Sequence, residues 1–483
     1  MITLLCALLA VTPGPGWSWP IPVTEEPNTI QPNQFIAIDP SGRFHLMWEE
    51  YREEPRIGYK VFLVDGTTVV PDTMISNDTW SAYLHQMAFS GDSLFGFWRQ
   101  GSSPVYYCIR SLSDGSEISP ATWVLTEGTQ HRQIRASADS LGRLHVLRDI
   151  GNDVYYARWT PVAPSGFHED YCWKIEGAYV SGVILVDGDR VHIVVGEYTN
   201  QSLSYLQCDL DGKVTIPLED FTPGQQQFYD TKWPDLSLDS EGNLMVVDAT
   251  VLPEEYSNLT LWKIDKDTGQ ILISAKALFV CDQWDSVAGS QFVFVAAPGN
   301  ELFYLVWADY FTAKKLWFTA FDAEGNLLMQ PYMAYDYEDE DPQDVRNPEG
   351  VVDSEGNLYL IYSAGWTEPV FGRYPTFGWF DHNYLPQGVG GEAPSAGQNA
   401  FALSPSCNPF SSSVTLTCSG PSLPGQLMVY DITGRLIQSL SDRQGSCFIW
   451  DGRDGSGGQV PTGTYIIQGA VDGQVSSIRL VKL

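Results

Sequence analysis

The sequence predicts an all-β chain, a seven-bladed β-propeller followed by a C-terminal Ig-like β-sandwich. Three observations predict it. A hairpin unit recurs seven times at steps of about fifty residues. The composition joins 13% aromatic residues to 44 Gly and 30 Pro, which favours short strands and many turns over helices. The last 80 or so residues form a separate series of short alternating strands behind a small-residue break.

At 483 residues with 43% hydrophobic content, the chain is long enough for two or more cores, or for one large repeat fold with an addition. The formal charge of −32, from 27 basic and 59 acidic residues, excludes a nucleic-acid partner, which demands a basic face. It suits a soluble protein outside the cell. No interior apolar run is long enough for a membrane span, so none is expected in the mature chain.

Residues 1–19 read as a signal peptide: Met1 to Ala10 is apolar, with Leu4, Leu5, Leu8 and Leu9, and Pro13-Gly14-Pro15-Gly16 breaks it. The basic start usual in such a leader is missing. Seven cysteines remain after Cys6, without a CxxC spacing, so neither a zinc nor a redox site is expected.

Residues 20–388 carry the propeller. The units are IAIDPSGRFHLMW from Ile36, MAFSGDSLFGFW from Met87, IRASADSLGRLHVL from Ile134, VILVDGDRVHIVV from Val183, LSLDSEGNLMVV from Leu236, FVFVAAPGNELFYLVW from Phe292 and VVDSEGNLYLIY from Val351. Their turn glycines, Gly42, Gly91, Gly142, Gly188, Gly242, Gly299 and Gly356, stand 46 to 57 residues apart. Each hairpin demands a positive φ that Gly supplies. An aromatic third strand follows each hairpin, near Tyr59, Tyr106, Tyr155, Tyr205, Trp262, Trp317 and Trp379. Six or eight blades are the alternatives, because the second and sixth units lack the Asp-x-x-Gly form.

The D-x-x-G-x-L-H-V form followed by an aromatic strand resembles the repeat of sialidase-like propellers over roughly residues 30 to 385. The Asp box of that family is not intact: Ser237 to Gly242 reads S-L-D-S-E-G. The resemblance implies a glycoside hydrolase as one alternative, with an arginine triad, a tyrosine nucleophile with a glutamate partner and an acid/base aspartate. None of these can be assigned to particular positions.

Blade topology brings the residues before the first strand and after the second to one face, around the channel. Before strand one these are Asn33, Gln34, His85, Gln86, Arg132, Gln133, Trp233, Asp235, Gln291, Arg346 and Asn347. After strand two come Trp48, Glu49, Glu50, Trp98, Arg99, Arg148, Asp149, Glu197, Tyr198, Asp248, Trp307, Asp309, Tyr310, Tyr362 and Trp366. Carboxylates, arginines and flat rings on one concave rim suit a polar ligand such as a glycan. Paired carboxylates at the spacings of glycosidases would suit hydrolysis. The leading expectation is a non-catalytic protein that binds a glycan or a surface protein, with a sialidase-like hydrolase and a non-catalytic scaffold as alternatives.

His45, His145 and His192 share one strand position in three blades, so repeat equivalence separates them and a structural role is expected. The acidic run from Tyr335 to Asp344 offers Asp336, Asp339 and Asp341 to calcium. No other cofactor is expected.

Residues 389–400 read as a linker, and residues 401–483 as the Ig-like module. Asn408-Pro409-Phe410, the hairpin VYDITGRLI from Val429, the stretch from Trp450 to Tyr465 (WDGRDGSGGQVPTGTY) and the terminal RLVKL resemble the type A C-terminal sorting domain of type IX secretion, and equally the Ig-like domain of flagellar hook-capping proteins. The first resemblance implies that residues 401–483 engage the type IX export machinery. The chain would then cross the periplasm and be secreted or held at the outer-membrane surface. One disulfide among Cys407, Cys418 and Cys447 is expected to staple the module.

Overall fold

The computed structural model describes the chain except residues 1–10, 19, 25–32, 52–54, 77–81, 101–104, 124–130, 151–152, 163–166, 179, 198–201, 223–225, 228–233, 252–256, 281–291, 309–314, 338–344, 367–371, 386–401, 406–409, 411, 420–422, 432–435, 442–444, 456, 462, 472–473 and 483. It divides into two compact units, Met1–Val389 and Gly390–Leu483.

The first unit is a seven-bladed propeller, so the alternatives of six and eight fall away. Each blade is an antiparallel meander whose first strand is innermost. The innermost strands are Gln34–Ile38, Ala82–Ser90, His131–Ala138, Val180–Asp187, Asp235–Leu238, Phe292–Ala296 and Val345–Val352. The sequence pattern makes these hairpins. All seven turn glycines have positive φ, from 54° at Gly91 to 94° at Gly356. In four of the hairpins the opening Asp caps the loop with its carboxylate: Asp139 Oδ1 accepts the amides of Leu141 and Arg143, both at 2.9 Å. Asp39, Asp239 and Asp353 repeat that geometry.

Alternation along each strand sends apolar side chains to both blade faces, and a buried cluster fills each of the seven gaps between neighbours. Trp48 packs between blades 7 and 1, Trp98 between 1 and 2, Trp159 between 2 and 3, and Trp307 between 5 and 6, none more than 1% exposed.

The ring is closed by the N-terminal segment. Ile21–Pro22 is the fourth strand of blade 7, beside Gly372–Phe380, and Val11–Pro13 adds a fifth strand to blade 6, beside Leu327–Tyr337. Between them Trp17 packs edge-on to Phe318, with ring centroids 5.3 Å apart, and Tyr335 Oη donates to Ser18 O at 3.0 Å. The described part of the propeller therefore reaches back to Val11, ahead of the boundary at residue 20 expected from sequence. Residues 11–18, read from sequence as part of a leader, are short strands and a core Trp.

The second unit holds two sheets on one core. Ala402–Pro405, Val414–Ser419 and Cys447–Trp450 form one; Leu436–Leu440, Leu427–Asp431, Gly463–Val471 and Gln474–Lys482 form the other. Phe410, Trp450 and Tyr465 meet in that core, 5.2 and 5.0 Å apart between ring centroids, and Trp450 Nε1 donates to Arg453 O at 2.9 Å. Among the described residues no disulfide joins Cys418 to Cys447, and Cys407 lies outside the described residues. Among the described residues, no helix is long and apolar enough to cross a membrane.

Candidate functional site

The seven innermost strands enclose a cavity of about 150 Å³ on the propeller axis. Repeat equivalence decides what lines it. Counting back four residues from the one that opens each hairpin gives Phe35, Gln86, Arg135, Val183, Asp235 and Glu349, all on the cavity wall, with Phe292 from blade 6. Equivalent positions on outer strands lie far apart, whereas on the innermost strand they converge. Three charged side chains, Arg135, Asp235 and Glu349, thus meet from blades 3, 5 and 7.

Several polar groups of this ring tie neighbouring blades together. Gln86 Oε1 accepts the amide of Ala136 at 2.7 Å. Ser137 Oγ accepts the amide of Val186 at 3.1 Å, and Asp235 Oδ2 that of Phe294 at 2.9 Å. Gln34 Nε2 donates to Asn347 O at 2.8 Å. Burial draws the Arg135 guanidinium below its ordinary value, while Glu349, Asp235 and Asp149 pull the other way.

Immediately before this ring the innermost strands break register. In blade 2, Leu84 pairs with Trp98 and Gln86 with Phe97, leaving His85 as an extra residue. Blades 3, 4 and 7 each carry one extra residue, between His131 and Ile134, Val180 and Val183, and Arg346 and Glu349. Blade 5 goes further: Gln227 pairs with Thr250 and Asp235 with Val247, so eight steps of chain oppose three. Asn347, in the blade 7 bulge, has φ +51°, and Gly182 in blade 4 has no room for a Cβ, which would lie 1.7 Å from Val194 O. Four bulges and the break in blade 5 stand at one level of the axis and re-aim the chain at the cavity mouth, a use bulges serve beside functional sites.

The residues expected from sequence divide sharply. Asp235 lines the cavity. His85, Arg132 and Arg346 fall on the bulged strand segments and Glu197 ends the second strand of blade 4, but their side chains are outside the described set, as are Trp233 and Asp309 entirely. The aromatic platform is not formed by Trp48, Trp98, Trp307 and Tyr362, all at most 1% exposed. They occupy one equivalent position facing the gap between blades, where an apolar ring gains more from burial than from solvent. Arg148 and Asp248 take that same position in blades 3 and 5. Arg148 is buried and pairs with Glu169 at 3.0 Å while donating to Cys172 Sγ at 2.8 Å. Burial pushes the Asp248 carboxyl up to about 7, and its Oδ2 has no hydrogen-bond partner among the described residues. Glu49 is buried and accepts from Asn33 Nδ2 at 3.0 Å, Glu50 and Asp149 are buried, and Arg99 is half-buried.

Arg135 and Glu349 lie inside their strands and not at the strand ends from which the sequence predicts a rim. Their signal is in the repeats: each stands at one fixed distance from the hairpin, four residues before its opening aspartate.

The three histidines are structural. Their Nδ1 atoms bond to Tyr59, Tyr156 and Tyr205 at 2.8, 2.6 and 2.8 Å, and Nε2 of His45 and His145 faces Asp39 and Asp139. Of the calcium candidates, Asp339 and Asp341 lie outside the described residues, and Asp336 is described only as backbone opposite Lys315 and Thr12. Among the described residues no three His, Cys, Asp or Glu side chains gather as a metal site.

No protein-family model matches the chain, and no curated protein matches it. Solved structures resemble it in architecture. A protein of unknown function from Dyadobacter fermentans is 10% identical, with TM-score 0.44, covering 76% of this chain and 100% of its own. The NanB sialidase of Streptococcus pneumoniae is 11% identical, with TM-score 0.41, covering 74% and 69%. A neuraminidase-like protein from A/bat/Guatemala/164/2009 is 9% identical, with TM-score 0.40, covering 62% and 87%. Sialidase-like propellers are thus among its structural neighbours, and nothing about activity follows from that.

Proposed function

We propose that this is an exported or cell-surface bacterial β-propeller that binds a glycan or protein ligand at the bulged face of its axis. The observation that carries this reading is the recurrence of a register break, a bulge in four innermost strands and a longer interruption in a fifth, directly before a charged cavity. A propeller needs none of these interruptions to close, and each costs ladder hydrogen bonds. Binding is favoured over glycoside hydrolysis because Asp235, one of the two carboxylates on the cavity wall, accepts backbone amides through both oxygens. A carboxylate so held has both oxygens engaged by the backbone and is anchored to the blade wall, which suits a structural or binding role better than attack on a substrate.

The same proposal takes residues 401–483 as an Ig-like module for type IX secretion and surface attachment. Support comes from Phe410, Trp450 and Tyr465, members of the resembling motifs, which converge in one small core, and from Lys482 of the terminal motif, whose Nζ donates to Val460 O at 3.1 Å. A glycan array and fluorogenic glycosides test the propeller: binding without turnover is expected, turnover would favour the hydrolase, and neither would leave the scaffold. Deleting residues 401–483 is expected to strand the protein in the periplasm; surface display without them would refute the sorting role.

A further inference from the structure

We infer that the hairpin face of the propeller, opposite the bulged mouth, is a second interaction surface, which docks a basic protein partner at the apolar tip of blade 3. Four hairpins share the form Asp-x-x-Gly, so their tips can be compared position by position. The residue before the turn glycine is Ser41 in blade 1, Glu241 in blade 5 and Glu355 in blade 7, but Leu141 in blade 3. Leu141 is 74% exposed, so the fold gains little from it. Val162, in the next turn of the same blade, is 52% exposed. Leu144 pairs with Trp159, and Leu141 and Val162 each stand three positions beyond that pair, which sets the two turns about 10 Å apart on one face. Apolar residues grouped inside a polar rim mark an interaction surface.

The rim decides which partner. Asp92, Asp189, Glu241, Glu324 and Glu355 are exposed on the turns of blades 2, 4, 5, 6 and 7. Turn geometry does not require them, because other residues cap the loops, as Asp239 does beside Glu241 and Asp353 beside Glu355. Of the bases on these turns, Arg43 and Arg143 are each held by their own turn aspartate at 2.6 Å. Arg190 and Lys266 pair with Asp267 at 2.6 and 2.9 Å. Lys213 is the one exposed base there among the described residues. Turn residues 163–166, outside the described residues, read Ala-Pro-Ser-Gly and add no charge. A face of that sign attracts a protein carrying Lys or Arg around an apolar residue. It repels nucleic acid, an anionic lipid surface and the same face of a second copy.

The test titrates the full chain with three blocked pentapeptides, Lys-Leu-Lys-Leu-Lys, Lys-Ser-Lys-Ser-Lys and Glu-Leu-Glu-Leu-Glu, at about 50 and 300 mM salt. The first is expected to bind at least about tenfold more tightly than the second and to weaken at the higher salt, with no binding of the third. Leu141→Ser is expected to lose at least about tenfold of that affinity, whereas Ile118→Ser, at an exposed apolar residue on the outer strand of blade 2, keeps it. Equal binding of the first two peptides, or equal binding by parent and Leu141→Ser, would mean diffuse attraction and overturn the docking surface. Failure of the first peptide to bind, or preference for the third, would overturn it as well. Amide exchange locates the contact: exchange at residues 139–143 is expected to slow with the first peptide bound. Slowing confined to the bulged ends of the innermost strands would move the contact to the other face and overturn this one. Dimerisation of the parent that Leu141→Ser abolishes would make the occupant a second copy and overturn the basic partner.

Discussion

His192 differs from its two counterparts by one missing partner. His45 and His145 each face a turn aspartate through Nε2, whereas the tighter turn of blade 4 leaves the Nε2 of His192 unbonded among the described residues. Burial then holds His192 at about 4, against an ordinary 6.5. The unfolded chain takes a proton that the folded chain refuses, so stability is intact above pH 6.5 and is lost as pH falls towards 4, by up to about 3 kcal/mol. His192→Gln should flatten that loss; a parent–variant difference in unfolding free energy that stays constant from about pH 7 to pH 4 would sink the assignment. Asp248 runs the other way. With its folded value raised to about 7 from 3.8, it favours the fold at low pH and opposes it as pH rises through 7. Asp248→Asn should therefore stabilise the protein at about pH 8, by up to about 4 kcal/mol, and have little effect near pH 4, as chemical denaturation at the two pH values would report. Sequence disclosed the histidines' structural role through repeat position alone. It did not disclose that Trp48, Trp98 and Trp307 turn into the blade gaps, because a Trp at a strand end reads as a platform until the neighbouring blade is in place.

At the scale of elements, what was legible followed periodicity. The hairpins, their glycines and the aromatic third strands were all read correctly from alternation and turn chemistry, since local backbone preference and burial agree there. The closing strands were not. Val11–Pro13 and Ile21–Pro22 are three and two residues long, too short to show alternation. Their importance lies in tertiary contact: Trp17 is 7% exposed and touches the cluster between blades 6 and 7. Trp17→Ala should cost about 3–5 kcal/mol and lower the melting temperature of the propeller. A shift no larger than that of an exposed substitution such as Leu141→Ala, on a residue 74% exposed, would show that the strap is not part of the cooperative fold. The bulges were equally hidden, because an extra residue in a strand leaves no compositional trace and appears only when both partners of the ladder are known.

For the whole molecule, a ring of repeats makes one strand position special. Sevenfold repetition scatters equivalent residues of the second strand, as with the histidines, and gathers those of the innermost strand on the axis, as with Arg135, Asp235 and Glu349. The blade count was therefore readable from glycine spacing, while the site required the geometry that repetition generates. The same organisation sets where cooperativity ends. All seven blades share continuous apolar contacts with their neighbours and the N-terminal segment locks the last gap, so the propeller should unfold as one body. The C-terminal unit has its own core, centred on Trp450 and Leu416, both fully buried. A chain shortened to residues 1–389 should accordingly keep the propeller's calorimetric transition within about 2 °C of its position in the full chain, losing only the heat of the smaller core. A broad transition, or one displaced by more than about 10 °C, would show that the propeller draws its stability from the module behind it.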